Sequence, residues 1–345
     1  MLDTLFYTVK SSSDPSLSEA GRILREGGLV VFPTETVYGL GANALDADAA
    51  ARIYEAKGRP SDNPLIVHIA DPVEAEALVF TSPLYYRLAR HFMPGPLTVI
   101  LKKRDVIPLG VTAGLDTVAI RCPSHPIAQA LIRASGIPVA APSANLSGSP
   151  SPTTAEHVKD DMMGRVHAII DGGPCEVGLE STIVKLEEDD SLTLLRPGAI
   201  TKEDLESIGV SVRVAPAVVR AMKEGEIVLS PGMKYRHYAP RAPLYLLDGT
   251  AFARKHFLEE QKGRVAYLGY EDELAALRNL PIDFYALGAS DDPKTQAARL
   301  FSLLREADKK NYDTIYAPVP NQSGMGLALF NRMIRAAAHQ IIPLK

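Results

Sequence analysis

The chain has 345 residues, 46% of them hydrophobic and 23% charged, enough apolar material for a sizeable core and too little polar bias for disorder. At roughly 150 residues per domain two domains are expected, and a disulfide-stapled mini-protein is excluded. Thirty-seven basic against 41 acidic side chains leave a net charge of −4, which argues against a chain whose main task is to coat nucleic acid.

The charge is unevenly spread. Residues 1–208 carry 18 basic and 27 acidic side chains, residues 209–241 carry 6 and 2, and residues 242–345 carry 13 and 12. The two cysteines, Cys122 and Cys175, have no CxxC spacing, so a disulfide framework or cysteine-rich zinc site is not expected and a reducing cytoplasm is. The N-terminus, MLDTLFYTVK, lacks the layout of a signal peptide. No apolar run approaches the roughly 18 residues of a membrane span, so no membrane association is expected.

In chain order, residues 1–208 alternate short β-branched runs with helical patterns. Strands are predicted at 29–32, 65–70, 97–102, 117–121, 138–142, 166–171, 181–186 and 192–196, with helices at 17–26, 48–57 and 126–135. In the last of these Ile127, Ala130, Leu131 and Ala134 fall at helical spacing, Pro126 suits the first turn and Gly136 the stop. The result is a mixed α/β domain. Residues 209–241 hold three prolines and a Pro-Gly turn, with basic and aromatic residues crowded at the end, and form a predicted linker. From 242 onward the runs PLYLLD, RVAYLG, IDFYALG and YDTIYAPV alternate with helices at 294–310 and 326–339, the pattern of a small parallel α/β domain.

Several familiar chemistries are missing. There is no GxxxxGK[ST] loop, no GxGxxG after a strand, no HExxH and no GxSxG. The eight histidines are scattered, so no metal site of protein side chains is predicted. NQSGMG (321–326) opens a helix after a strand; it suits an anion at a helix N-terminus or simply a glycine-rich turn.

Other blocks carry more. PTETVYGLGA (33–42) comes directly after the first predicted strand, and its hydroxyls sit where open α/β sheets place ligands. In KGRPSDNPLIVH (57–68), Lys57 and Arg59 close a helix and two prolines stiffen the loop beyond it, so two cations and the Asn63 amide are held together, either for a polyphosphate or as a helix C-terminal charge complement. His68 lies inside an apolar strand as a core histidine or a ligand contact. Arg121 ends TVAIR, either to pair with a carboxylate or as an exposed strand-terminal arginine. PVAAPSANLSGSPSPT (138–153) runs from a strand into a loop of hydroxyls and amides able to cradle phosphate. GLESTIV and LLRPG set Ser181 and Arg196 at strand boundaries.

Taken in order, PTETVYGLG, KGRPSDNPL, SAN, GLESTI, RPG and SPGMKYRHYAP resemble the YrdC-type threonylcarbamoyl-adenylate synthases, over residues from about 15 to 241. The linker and second domain resemble that family's longer, two-domain members. The resemblance implies a YrdC-like mixed twisted sheet with flanking helices at 1–208, a linker or lid at 209–241, and a Rossmann-like parallel α/β domain at 242–345.

It also implies synthesis of threonylcarbamoyl-AMP and pyrophosphate from L-threonine, bicarbonate or CO2, and ATP, with Mg2+ accompanying ATP. The product would pass transiently to a tRNA threonylcarbamoyl transferase, for modification beside the anticodon. Thr36, His68, Arg121, Ala141 and Ser181 would contact threonine. Arg59, Asn63, Thr117, Ser143, Ser151, Arg196 and His237 would contact ATP, and Lys57 and Arg59 would serve catalysis at the phosphates. The basic linker, with Tyr235, Arg236, His237 and Tyr238, would close over the acidic domain. For the synthase, no stable nucleic-acid binding is expected; two other readings remain open, an RNA-binding module, which the acidic domain opposes, and carbamoyl transfer in hydrogenase maturation, whose usual additional zinc-finger and acylphosphatase segments do not appear in 1–345.

Overall fold

The structure is a computed structural model that describes residues 2–221, 228–229 and 237–345. Its strands among these residues are β1 (Leu5–Thr8), β2 (Val30–Phe32), β3 (Gly39–Asn43), β4 (Ile66–His68), β5 (Leu97–Lys102), β6 (Thr117–Arg121), β7 (Val139–Ala141), β8 (Ala168–Asp171), β9 (Thr182–Leu186), β10 (Leu192–Arg196) and β11 (Val212–Val214) in one sheet, and β12 (Leu244–Asp248), β13 (Val265–Tyr270), β14 (Asp283–Gly288), β15 (Thr314–Pro318) and β16 (Ile341–Pro343) in a second.

The first sheet runs β1-β8-β2-β3-β7-β4-β6-β5-β9-β10-β11 and mixes directions: β4 is parallel to β6 but antiparallel to β7. Its strands are apolar on both faces because both are covered. On one face Val31, Leu40 and Val67 pack with Ile53, Tyr85 and Leu88 from the helices Ala47–Lys57 and Pro83–Phe92. On the other, Val30, Phe32, Val139 and Ala141 pack with Leu17, Leu24, Ile127 and Leu131 from the helices Ser16–Arg25 and Pro126–Ser135. Gly21 makes the approach of these two helices possible, since a Cβ there would lie 2.7 Å from the Ala134 carbonyl carbon.

The segment expected to be linker from residue 209 begins inside this sheet. Val212 and Val214 alternate as a strand should, and β11 pairs in parallel with β10. The strand β1 and the helix Pro83–Phe92 were not predicted; the former is only four residues long, while the latter is capped by Ser82, whose Oγ accepts the Tyr85 N–H. The second sheet, β14-β13-β15-β12-β16, is wholly parallel. The helices Pro293–Asp308 and Met325–Ala336 fall close to the expected 294–310 and 326–339, and β16 adds an edge strand too short to be read from its pattern.

The two sheets are joined by a shared core. Val37 and Leu179 of the first unit pack with Leu300, Phe301, Leu329 and Met333 of the second. Arg305 crosses to Asp161 at 2.6 Å and to the Pro150 carbonyl, and Asn331 donates to the Val218 carbonyl at 2.7 Å. Gly178, at φ +77°, sits so close to the helix Pro293–Asp308 that a Cβ would lie 2.4 Å from Ala298 Cα. Gly178→Ala is therefore expected to strain the backbone and push the helix away, lowering stability by about 1–3 kcal/mol. Calorimetric unfolding checks this; an unchanged midpoint would mean that the interface yields freely.

Candidate active site

The pocket lies on the sheet face that carries Ile66 and His68 of β4, Arg121 of β6 and Ala141 of β7, where strand alternation turns these residues the same way. Loops supply the rest. Asp46 caps the helix Ala47–Lys57 by accepting the Asp48 and Ala49 N–H groups, and Gly58 ends it at φ +59°. That fixes Lys57 in the last turn with Arg59 just beyond. Thr34 Oγ1 accepts the Thr36 and Val37 N–H groups and donates to the Val37 carbonyl, folding PTETV into a tight turn that brings Glu35 beneath Arg121.

Lys57, Arg59, His68, Arg121, Ala141, Ser143, Arg196 and His237 all line the pocket. Lys57 Nζ donates to the carbonyls of Ser143 and Asn145, both at 2.5 Å. Burial, with Arg59 nearby, moves its pKa well below the ordinary lysine value. Arg59 Nη2 donates to the Asn63 carbonyl at 2.9 Å, and its guanidinium lies 5.7 Å from the Tyr54 ring. Arg196 donates from Nε to the Ser181 carbonyl at 3.0 Å and from Nη2 to Ser181 Oγ at 3.1 Å, and burial pushes its pKa down to about 10. Arg121 Nη2 donates to Glu35 Oε1 at 2.8 Å and to Thr36 Oγ1 at 2.9 Å, while its buried Nε has no hydrogen-bond partner.

Both pocket histidines are neutral. Burial, reinforced by Arg121, pushes His68 down to about 3; burial, reinforced by Arg59, does the same to His237. His68 Nδ1 faces the Ile66 carbonyl at 3.1 Å and so carries the proton.

Four predicted residues stand one step behind this wall. Thr36 and Ser181 touch the pocket through Arg121 and Arg196, and Ser151 Oγ donates to Glu180, which lines it. Asn63 is fully buried, and its amide oxygen and nitrogen both have no hydrogen-bond partner. Thr117 is not brought to the pocket. It begins β6 while Arg121 ends it, roughly 13 Å away at about 3.3 Å per residue, on the side where Asn63 and Pro64 lead into the parallel neighbour β4. Tyr235 and Arg236 lie outside the described residues. Tyr238 stacks on Phe301 at 5.1 Å between ring centroids and also lines the pocket.

Two residues were missed by sequence reasoning, Glu35 and Glu180, each 5–6% exposed. Both lie inside the quoted motifs PTETV and GLEST. The available signal was a lone carboxylate in a stretch with no other charged residue, which, once buried, needs a cation to pair with it. Among the described residues, no group of three or more His, Cys, Asp or Glu is arranged to hold a metal ion, and no helix is long and apolar enough to cross a membrane.

A family profile described as "Telomere recombination", for the Sua5, YciO and YrdC proteins, matches residues 22–198, and one described as "Threonylcarbamoyl-AMP synthase, C-terminal domain" matches 200–338. The threonylcarbamoyl-AMP synthase of Bacillus subtilis is 48% identical over 338 residues, covering 96% of this chain and 96% of that protein. That of Pyrococcus abyssi is 45% identical over 326 residues, covering 94% of each. The crystal structure of P. abyssi Sua5 complexed with L-threonine superimposes with a TM-score of 0.89 at 42% identity, covering 99% of this chain and 100% of that one. With both halves matched and relatives aligned almost end to end, the chain belongs to the threonylcarbamoyl-AMP synthase family, in its two-domain form.

Proposed function

We propose that the protein makes threonylcarbamoyl-AMP from L-threonine, bicarbonate or CO2, and ATP, releasing pyrophosphate, in the cytoplasm, and that the product serves tRNA threonylcarbamoyladenosine modification through transient hand-over to a tRNA threonylcarbamoyl transferase. The observation that carries this reading is the gathering of Lys57, Arg59, Arg121 and Arg196, each at most 9% exposed, around one pocket whose only lining carboxylate among the described residues is Glu180. Withdrawing that much positive charge from water is unfavourable unless an anion completes it. A nucleoside triphosphate at one end and an amino-acid carboxylate at the other would do so.

The chemistry asks for no enzyme nucleophile. The threonine amine adds to CO2, a carbamate oxygen attacks the α-phosphorus, and pyrophosphate leaves, so the protein's part is to orient reactants and neutralise charge. In this reading Arg121, steadied by Glu35 and Thr36, takes the threonine carboxylate, aided by the nearby wall of His68, Ala141 and Ser181. Lys57, Arg59 and Arg196 face the phosphates, with Mg2+ arriving on ATP itself. Ser143, Ser151 and His237 complete the nucleotide end. Asn63 supports the same placement, because its fully buried amide lacks a protein partner. Thr117 would join only from the far end of β6. His237 and Tyr238 line the same pocket; a shift of that segment would admit ATP, and its return would exclude water from the carbamate and the mixed anhydride.

Pyrophosphate release from ATP is expected to fall to background when either threonine or bicarbonate is omitted; release that ignores threonine would overturn the proposal. Arg121→Lys loses the fork that grips a carboxylate, so the KM for threonine should rise roughly tenfold or more with little change in the KM for ATP.

The histidines give a pH prediction. Their folded pKa values, about 3, lie below the ordinary 6.5, so on acidification the unfolded chain takes up protons first. The contribution of these histidines to stability should be flat above pH 6.5 and fall below it, by up to about 1.4 kcal/mol per pH unit for each histidine. Denaturant unfolding of His68→Gln beside the parent protein from pH 7 to 5 checks this; the variant should lose less.

A further inference from the structure

Three buried arginines of the second unit reach into the first. Arg305 is held by Asp161 and the Pro150 carbonyl, and Arg335 donates to the Ala217 carbonyl; neither lines the pocket. Arg332, on the helix Met325–Ala336, differs because its partner does.

Arg332 has no solvent exposure and is the largest fully buried side chain among the described residues. Its Nε donates to Glu180 Oε2 at 2.7 Å, Nη2 to the Glu180 carbonyl at 3.1 Å, and Nη1 to the Pro197 carbonyl at 2.9 Å and to Asn331 Oδ1 at 2.8 Å. The other carboxylate oxygen, Glu180 Oε1, accepts from Ser151 Oγ at 2.5 Å. The guanidinium also lies 5.9 Å from the Tyr238 ring centroid. One side chain from the second unit thus meets GLEST, RPG and the pocket-facing tyrosine.

Charge explains the arrangement. Burial alone would push the Glu180 carboxyl up, but Arg332, Arg196 and the hydrogen bond from Ser151 bring it below the ordinary glutamate value, so it is an anion. A bare carboxylate in the wall would repel a polyphosphate; paired with Arg332 it does not. An ionised carboxylate can only accept, so the Ser151 hydroxyl hydrogen points at Glu180 and its remaining lone pairs face elsewhere as an acceptor.

We propose that Arg332 is a positioning residue for the nucleotide end of the pocket, acting across the domain interface to neutralise Glu180 and, through it, to fix the Ser151 hydroxyl as an acceptor. The inference rests on the reading of the pocket as an ATP site and would make nucleotide affinity depend on the second domain.

The test uses the full chain and the variants Arg332→Met, Arg332→Lys and the double variant Arg332→Met with Glu180→Gln. ATP affinity is measured by calorimetry, and KM values by pyrophosphate release. Arg332→Met strands a buried anion and should weaken ATP binding about tenfold or more while leaving the KM for threonine within about twofold. The loss should shrink from pH 8 to pH 6, because the stranded Glu180 then takes up a proton. Adding Glu180→Gln should restore most of the affinity and abolish the pH dependence. If Arg332→Met lowers only the thermal midpoint with ATP affinity unchanged, or if the double variant is no better than the single, Arg332 is a strut and the proposal is wrong. If Arg332→Met does not fold, Arg332→Lys decides: selective weakening of ATP binding supports the role, unchanged ATP affinity overturns it. Calorimetry needs no turnover, so a parent protein that binds ATP but makes no product overturns the reaction and not the role of Arg332; one that binds no ATP overturns both.

Discussion

Lys57, Arg59, Arg121 and Arg196 are almost wholly withdrawn from water, and a cation held in such a place is several kcal/mol unfavourable unless oxygen atoms surround it. Much of the first domain's irregular backbone answers that need. Carbonyls of Ser143 and Asn145 surround Lys57, those of Asn63 and Pro64 meet Arg59, and that of Ser181 meets Arg196. Prolines recur beside these carbonyls, at Pro60, Pro64, Pro142 and Pro197. A proline offers no N–H to a neighbouring strand, so it ends the ladder and leaves adjacent carbonyls able to turn toward a cation. The strand β4 begins just after Pro64, and β7 and β10 stop at Pro142 and Pro197.

The same constraint links the domains. The GLEST and RPG segments frame Arg196 from the first domain, and Arg332 enters from the second to match Glu180. The shared apolar core around Val37, Leu179, Phe301 and Met333 holds that arginine in register. The second sheet is parallel, and its helices Pro293–Asp308 and Met325–Ala336 direct apolar side chains and arginines to the first domain, Arg332 among them to the pocket-lining Glu180. Their role is better described as completing the first domain than as decorating it.

The charge distribution obeys the same logic. A domain with an excess of acidic side chains buries four of its cations, Lys57, Arg59, Arg121 and Arg196, and these define the pocket, while its other basic side chains stay at or near the surface. Tyr238 makes the link from the linker, stacked on Phe301 and within reach of Arg332. Its docking base is therefore formed by the second domain, while its neighbour His237 stands in the pocket of the first.

The sequence by itself determined the local elements and the chemistry they carry. β-branched runs gave most of the strands around the pocket, the helical pattern at 48–57 gave the helix that ends at Lys57, and the long motifs named the family and most of the pocket residues. Its misses have a common cause. The strands β1 and β16 are held by pairing more than by pattern, and β11 was hidden in a segment whose prolines and basic residues dominate. Thr117 and Arg121 open and close one predicted strand, but only folding shows that Arg121 lines the pocket and Thr117 does not. Glu35 and Glu180 were legible as carboxylates but not as the partners of Arg121 and Arg332, since a charge pair across 86 or 152 residues has no local signature. Tertiary structure alone decided which cation meets which oxygen, because the energy of a buried charge depends on everything that has replaced its water.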